Sequence, residues 1–322
     1  MKTMRAVVVR QPGAPDVLHF TEVQRPQVKP GWSLVKIKGF GINHSEIFTR
    51  RGDSPSVSFP RILGIECVGE ISETTAPARL PVGQRVISLM GEMGRDFDGS
   101  YAEYALLPNA QIYPVETSRS WKELATMSET YYTAFGSMEN LKIEPLDKVL
   151  VRAATSGVGV AFAKLVRARF PKIRLVGSTR NPTKVQAILQ IGYSDVIQDL
   201  DGRLQTEEKF DKVLELVGPR TIKDTIRCSA EGAIICLTGL LGDQWYLEEF
   251  DPIMDLPANG YLTSFYSGNV DQERLEELIH FVDRYDVDLT PSKVFRLEEV
   301  QQAHELLESG KNVGKLIVLL DE

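Results

Sequence analysis

Between residues 148 and 237 short apolar runs alternate with helical stretches, and this alternation constrains the fold more than any other feature. The apolar runs have the β-branched character of strands, and about 10–15 residues of helical pattern separate them. Strands joined through a helix run parallel in one sheet. The predicted strands are residues 148–153, 174–178, 195–197, 212–216 and 233–237, and the predicted helices are residues 158–170, 182–191 and 220–229. This region is therefore predicted to form a doubly wound parallel sheet.

The first third of the chain has a different pattern, with strands but few helices. Its short alternating runs, each bounded by Gly, Pro, Asp or Asn, are residues 5–9, 18–23, 33–40, 67–72, 85–89 and 101–107. They predict an antiparallel, barrel-like β domain. A helix over residues 121–140 leads into the alternating region, and after it come two amphipathic helices, residues 271–284 and 297–309, and a last strand, residues 315–320.

We predict two domains, one made of residues 1–122 with residues 263–322 and one made of residues 123–262. The last strand is expected to rejoin the first domain. The active site is expected in the cleft between the two domains.

Composition excludes several classes of protein. The 44 acidic and 37 basic residues give a net charge of −7, which has the wrong sign for binding nucleic acid. Cys67, Cys228 and Cys236 are too widely spaced for a disulfide framework or a cysteine-rich zinc site, which indicates a reducing compartment. No apolar run approaches the roughly 18 residues of a membrane helix. We therefore expect a cytoplasmic protein that binds neither nucleic acid nor membrane.

A strand, a turn of small residues and a helix start follow one another over residues 149–161. Backbone amides at a helix N-terminus favour a pyrophosphate. The dinucleotide fingerprint is G-x-G-x-x-G, and here Ala154-x-Ser156-x-x-Gly159 has small residues at the first two positions. The context favours dinucleotide binding over an ordinary tight turn. The residues predicted to hold the pyrophosphate are Thr155, Ser156, Gly157, Val158 and Gly159.

The end of the next strand indicates which dinucleotide binds. An NAD site places Asp or Glu there, about 20 residues beyond the turn. Residues 177–184 contain neither, but they contain Ser178, Arg180 and Lys184. These side chains suit a ribose 2′-phosphate. The two cations could instead be solvated side chains at the start of a helix, although the helix dipole disfavours cations there. Because residues 177–184 contain these cations and no acidic residue, NADP is predicted rather than NAD.

Further segments carry a resemblance along nearly the whole chain. In order they read GAPDVL from Gly13, GINHSEIFTRRG from Gly41, PRILGIECVG from Pro60, GSYAEY from Gly99, AHELLES from Ala303, and Gly314-Lys315. Together with the turn at residues 153–159, this series resembles the medium-chain dehydrogenase/reductase superfamily, specifically its zinc-independent quinone oxidoreductase branch. The resemblance implies an α/β chain in which a GroES-like β-barrel-type domain accompanies a Rossmann domain with a doubly wound parallel sheet.

Zinc-using alcohol dehydrogenases of the same superfamily resemble the chain in the same segments, so their metal positions can be compared. Asn43 stands at their first cysteine and Ile65 at their histidine, while the third position falls near Glu129. An isoleucine cannot bind zinc, and a catalytic zinc needs three protein ligands. No cysteine lies between Val82 and Gly99, where relatives hold a structural zinc. The resemblance therefore implies no metal site and disfavours metal-assisted alcohol oxidation.

The resemblance also assigns residues to the nicotinamide end of a bound cofactor. Asn43 is a candidate catalytic residue and a cofactor contact, although an Asx turn ending a strand is its alternative role. Tyr132, or its neighbour Tyr131, could stack on a flat acceptor or donate a proton, but such aromatics are more often core residues. Thr133 matches a family contact to the nicotinamide. Looser matches to the cofactor site are Tyr193, Leu237, Thr238, Phe265, Tyr266, Ser267 and Asn312.

The resulting prediction is a zinc-independent reductase that moves a hydride from NADPH to a small electrophilic acceptor, a quinone or an activated alkene or carbonyl. The resemblance implies a homodimer. Two alternatives stay open: an NADPH-binding structural or regulatory protein without turnover, and an enone or enoyl-thioester reductase. The second is less attractive because residues 52–55 lack the tyrosine that mitochondrial-type enoyl-thioester reductases carry there. The loop over residues 239–260 matches no pattern and is expected to shape the acceptor site or an oligomer surface.

Overall fold

The computed structural model describes residues 2–320. The strands are β1 (Thr3–Val9), β2 (Leu18–Gln24), β3 (Trp32–Ile42), β4 (Arg61–Ile62), β5 (Glu66–Glu73), β6 (Arg85–Leu89), β7 (Tyr104–Pro108), β8 (Tyr113–Pro114), β9 (Lys148–Val151), β10 (Arg174–Thr179), β11 (Asp195–Leu200), β12 (Arg203–Leu204), β13 (Phe210–Glu215), β14 (Ser229–Leu237), β15 (Tyr261–Ser264), β16 (Lys293–Phe295) and β17 (Leu316–Leu319). The helices are α1 (His44–Arg51), α2 (Trp121–Leu141), α3 (Gly157–Arg169), α4 (Val185–Ile191), α5 (Ile222–Arg227), α6 (Gln272–Arg284) and α7 (Val300–Glu308).

The chain divides into two compact units. The first contains the residues up to Glu129, Gly268–Ile279 and the residues from Leu289 onward, and the second contains Thr130–Ser267 and His280–Asp288. Both α2 and α6 contribute to each unit, so the unit boundaries fall inside helices. The mixed α/β architecture predicted from the sequence is confirmed.

The first unit is built from two sheets. One has the order β2-β1-β4, and the other has the order β16-β17-β3-β5-β6-β8, with β7 also pairing with β3. Their pairs are antiparallel except for β16 with β17. Leu316 pairs with Ile42, so β17 joins the larger sheet of the first unit. Buried side chains between the sheets, including Val35, Phe40 and Tyr101, form its core.

The strand predicted over residues 101–107 begins later than expected, at Tyr104. Tyr101 instead exchanges backbone hydrogen bonds with two other segments: its carbonyl accepts from the Val7 amide at 2.7 Å, and its amide donates to the Leu63 carbonyl at 3.0 Å. These bonds turn the chain away from a regular ladder and bury the Tyr101 ring.

The second unit is built on one sheet of order β12-β11-β10-β9-β13-β14-β15. All of its pairs are parallel except β11 with β12, which confirms the predicted doubly wound sheet. The sequence pattern did not predict β15, because its side chains are mostly exposed at the sheet edge and form no apolar run. Within residues 2–320, no helix is long and apolar enough to cross a membrane.

Candidate active site

The turn between β9 and α3 has the features of a phosphate-binding turn. Ala153 adopts a left-handed conformation with φ of 63°, and Ser156 caps α3 by accepting a hydrogen bond from the Gly159 amide at 3.0 Å. A Cβ on Gly159 would lie only 2.7 Å from the Ala153 carbonyl oxygen, so glycine allows the helix to begin this close to the strand. The first amides of a helix have no partner within the helix. Those of Gly157 and Val158 therefore suit an anion.

Tyr193 lies behind this turn. Its hydroxyl donates to the Gly159 carbonyl oxygen at 2.8 Å, and its side chain is buried. Burial raises the pKa of Tyr193 well above its usual value, so the hydroxyl stays protonated and remains a donor. The structure thus places Tyr193 as a support for the start of α3.

Ser178, Arg180 and Lys184 lie together at the carboxyl end of β10. The buried Ser178 hydroxyl accepts from the Ala153 amide at 3.2 Å, which connects this strand end to the phosphate turn. Arg180 is exposed and Lys184 is half-buried. Burial, together with the nearby charge of Arg180, lowers the pKa of Lys184. Two neighbouring cations of this kind would both gain from an anion.

A second group of predicted residues meets where α2 packs on the carboxyl end of β14. The Ser137 hydroxyl donates to the Thr133 carbonyl at 2.7 Å and lies 3.0 Å from the Thr238 hydroxyl. Phe265 packs on the same face of α2, because a Cβ on Gly136 would lie 2.0 Å from its ring. Sequence reasoning missed Ser137, although its position one helical turn after Thr133 was a usable signal.

The other residues assigned to the nicotinamide end have different surroundings. Tyr132 is fully buried, with its ring centroid 5.9 Å from that of Phe265, so it lies in the core of the second unit. The Tyr131 hydroxyl donates to the Asp288 carbonyl at 3.2 Å. Leu237 is half-buried at the end of β14, where it pairs with Ser264. Tyr266 is exposed and Ser267 is half-buried.

In the first unit, the half-buried Asn43 forms a cluster with the buried Glu66 and Lys315. The Lys315 ammonium donates to Asn43 Oδ1 at 2.6 Å and to Glu66 Oε1 at 2.7 Å. Asn43 Nδ2 donates to the same Glu66 oxygen at 2.8 Å. A Cβ on Gly41 would lie 2.2 Å from Lys315 Cε, so the glycine of β3 makes room for the pair. Asn312 donates to the Gly314 carbonyl at 3.1 Å and shapes the turn before Lys315.

Glu66 is fully buried and its carboxylate is well satisfied. Its second oxygen accepts from the Ser128 hydroxyl and, at 2.8 Å, from the Glu129 amide. Burial opposes ionisation, but the Lys315 ammonium outweighs it and holds the pKa of Glu66 below its usual value. The site predicted from the sequence includes neither Glu66 nor Lys315, although both lie in motifs that carry the family resemblance.

The residues around Asn43 do not fit a zinc ion. Asn43 Oδ1 and Glu66 Oε1 both accept a hydrogen bond from the Lys315 ammonium, so a cation already occupies these two oxygens. Ile65, at the position of a second ligand, is buried and apolar. Residues 2–320 contain no group of three His, Cys, Asp or Glu side chains arranged to hold a metal. A catalytic zinc needs three nitrogen, sulfur or carboxylate ligands, which this cluster does not supply.

Two family models match the chain. The alcohol dehydrogenase GroES-like domain matches residues 29–117, and the zinc-binding dehydrogenase domain matches residues 191–318. The chain belongs to the medium-chain dehydrogenase/reductase superfamily, in its quinone oxidoreductase-like branch. The GroES-like first domain, the Rossmann-like second domain and the family resemblance expected from the motifs are thereby confirmed.

Individual relatives agree with this placement. The quinone oxidoreductase of Rattus norvegicus is 24% identical over 99% of this chain and 98% of its own. A phenolphthiocerol/phthiocerol polyketide synthase of Mycobacterium tuberculosis is 25% identical over 98% of this chain but only 15% of its own length. Among solved structures, Bacillus subtilis protein yhfP with NAD bound has a TM-score of 0.84 at 22% identity, covering 99% of this chain and 100% of its own. The chain therefore shares the fold of a protein whose structure holds NAD.

Proposed function

We propose that this protein reduces a quinone, or another activated alkene or carbonyl compound, with NADPH and without zinc. The observation that carries the proposal is the dinucleotide turn with Arg180 and Lys184 at the adjacent strand end. When bound, NADPH supplies the hydride. Residues 155–159 would hold the pyrophosphate. Thr133, Thr238 and Phe265 would hold the nicotinamide end. Asn43 is also proposed as a cofactor contact.

The preference for NADPH rests on charge. A phosphate group on the ribose carries about −1.5 to −2 charges at neutral pH and pairs well with Arg and Lys. Replacing Arg180 and Lys184 by alanine should weaken NADPH binding by about tenfold or more, because each charge-assisted hydrogen bond contributes about 1.5–3 kcal/mol. NADH binding should change little. Lys172→Ala, an exposed cation elsewhere in the second unit, is the matched control. Equal weakening of NADH and NADPH would contradict the proposed 2′-phosphate site.

The acceptor is proposed from the relatives. The full-length similarity to the rat quinone oxidoreductase supports a quinone, and the polyketide synthase relative supports testing a thioester. The deciding experiment follows NADPH oxidation with 9,10-phenanthrenequinone, a simple benzoquinone, an enone and an enoyl thioester, with and without a zinc chelator. Chelator-resistant turnover of a quinone or enone is expected. NADPH binding without turnover of any acceptor would favour the binding-protein alternative, and chelator-sensitive alcohol oxidation would refute zinc independence.

We further propose that the protein is a cytoplasmic homodimer. Large apolar side chains are exposed on the edge strand β15 and in the segment that precedes it in the chain, among them Tyr246, Ile253, Met254 and Tyr261. An open strand edge beside such side chains suits pairing with a second copy. Light scattering after size exclusion should give twice the 36.0 kDa chain mass, and Leu262→Lys should reduce it to the monomer. Three buried free thiols support a reducing compartment, and fractionation of the source cells tests it.

A further inference from the structure

A chain of buried hydrogen bonds runs through the first unit from Arg50 to Glu46. The Arg50 guanidinium lies 3.0 Å from His304 Nδ1, and His304 Nε2 lies 2.9 Å from the Tyr101 hydroxyl. That hydroxyl donates to Glu46 Oε2 at 2.5 Å. None of the four side chains is more than 1% exposed. Burial of four polar groups in series requires that every bond be satisfied.

The hydrogen bonds that link these four side chains can be donated only in the direction from Arg50 to Glu46. A guanidinium donates hydrogen bonds and cannot accept them, so His304 Nδ1 is an acceptor. Burial, together with the charge of Arg50, lowers the pKa of His304 to about 3, and the ring is neutral. Its proton is therefore on Nε2 and donates to Tyr101, which in turn must donate to Glu46. Arg50 is held in place by the Gly13 carbonyl at 3.1 Å and by Glu308 at 2.7 Å.

At the other end of this hydrogen-bond series, Glu46 contacts Asn43. Glu46 Oε2 also accepts from the Asn43 amide at 2.8 Å, and Oε1 accepts from the Ile65 amide at 3.0 Å. Glu46 thus closes the N-terminus of α1 and sets where Asn43 stands beside Lys315. Burial raises the pKa of Glu46 to about 7, although the Tyr101 hydroxyl and the two amides oppose the shift. The charged and titratable groups around it are Arg50 on α1, Glu66 on β5, Tyr101 before β7, His304 on α7 and Lys315 before β17.

We propose that Arg50, His304 and Tyr101 are positioning residues that keep Glu46 an acceptor and thereby hold Asn43 in place. Because Asn43 belongs to the proposed cofactor site, the consequence for cofactor binding rests on the proposed function. Protonation of Glu46 removes its negative charge and turns one of its oxygens into a donor, which weakens the bonds that Tyr101, Asn43 and Ile65 donate to it. The hold on Asn43 is therefore complete above the pKa of Glu46 and is lost as the pH falls through it.

Tyr101→Phe tests the positioning role in the cofactor-free protein. The substitution keeps the ring, which stacks on Phe40 with centroids 5.0 Å apart, and removes only the hydroxyl. Losing one donor raises the pKa of Glu46, so the pH midpoint of the Asn43 amide resonances, followed by NMR from pH 5.5 to 8.5, should rise by about one unit. Tyr104→Phe is the control, since that half-buried ring contacts the Arg25 guanidinium and takes no part in the hydrogen bonds between Arg50 and Glu46. An unchanged midpoint in Tyr101→Phe would overturn the proposal.

Two variants at His304 test the same proposal independently, in case Tyr101→Phe folds poorly. Glutamine at position 304 offers one acceptor and one donor, as the neutral ring does, whereas leucine offers neither. His304→Gln should keep the wild-type Asn43 midpoint and His304→Leu should raise it; equal midpoints would also overturn the proposal. NADPH affinity at pH 6 should fall about tenfold in Tyr101→Phe and His304→Leu but not in His304→Gln. If wild type binds no NADPH, the proposed function fails, while the cofactor-free NMR result still decides the positioning role.

Discussion

Lys315 Nζ donates to Glu66 Oε1 at 2.7 Å, and both side chains are buried in the first unit. The ammonium also donates to Asn43, so one fixed cation neutralises the carboxylate and orients the amide. The Lys315 ammonium thus lies at the centre of the cluster, and Gly41 in β3 leaves the space that the lysine side chain needs.

Removing the cation should be costly. Lys315→Met leaves Glu66 as an unpaired buried carboxylate, and we expect the free energy of unfolding at pH 7 to fall by about 3–5 kcal/mol. Urea denaturation measures this change. The double variant Glu66→Gln with Lys315→Met should recover most of the loss, because no buried charge remains. A double variant no more stable than Lys315→Met would contradict this account of the pair.

Gly136→Ala should disturb the second group of site residues. The new Cβ would lie 2.0 Å from the Phe265 ring, and overpacking of this kind costs about 1–3 kcal/mol. We expect weaker NADPH binding, measured by fluorescence titration, since the ring of Phe265, a proposed cofactor contact, must move. Phe265→Leu combined with Gly136→Ala should restore stability by making room for the methyl group. If Gly136→Ala alone preserves stability and affinity, Phe265 is not packed as described.

Tyr193→Phe isolates the support behind the phosphate turn. It removes the hydrogen bond to the Gly159 carbonyl, leaves that buried oxygen without this donor, and should cost about 1–3 kcal/mol of stability. NADPH affinity should fall several-fold, because the start of α3 loses a constraint. Tyr285→Phe, at an exposed tyrosine of the same unit, should change neither quantity. Thermal unfolding and cofactor titration of both variants decide the matter.

The stability of the protein should depend on pH through His304. Its pKa is about 3 in the folded protein and about 6.5 when unfolded, so only the unfolded state is protonated between these values. The free energy of unfolding therefore falls as the pH falls below 6.5, by up to about 1.4 kcal/mol per pH unit from this group. Glu46 contributes with the opposite sign between its unfolded pKa and about 7, because its folded pKa is raised.

His304→Gln should remove the His304 contribution while keeping that of Glu46. Its free energy of unfolding, measured by urea denaturation from pH 4.5 to 7.5, should fall less steeply than that of wild type as the pH decreases. His280→Gln, at an exposed position on α6, should keep the wild-type slope. Equal slopes in all three proteins would show that His304 is not held neutral by burial.

Local patterns in the sequence predicted the parts of this protein that depend on near neighbours. The alternation after residue 148 predicted the parallel sheet, and the small residues at 154–159 predicted the turn that Ser156 and Gly159 shape. The resemblance predicts Thr133, Thr238 and Phe265, and the structure places Thr238 and Phe265 against the turn of α2 that follows Thr133. The edge strand β15 was missed, because its exposed residues do not repeat with a burial period.

Only the tertiary structure showed what surrounds Asn43. Lys315 is 272 positions away in the chain, and it reaches Asn43 because β17 pairs with β3. His304 is likewise 254 positions from Arg50, and burial of α7 beside α1 determines both its tautomer and its charge. No local pattern encodes such contacts, since they depend on strand register and on the exclusion of water by the whole core. The sequence by itself determined the class of fold and the turn between β9 and α3, and the packing of distant segments decided how the surroundings of Asn43 are charged and held.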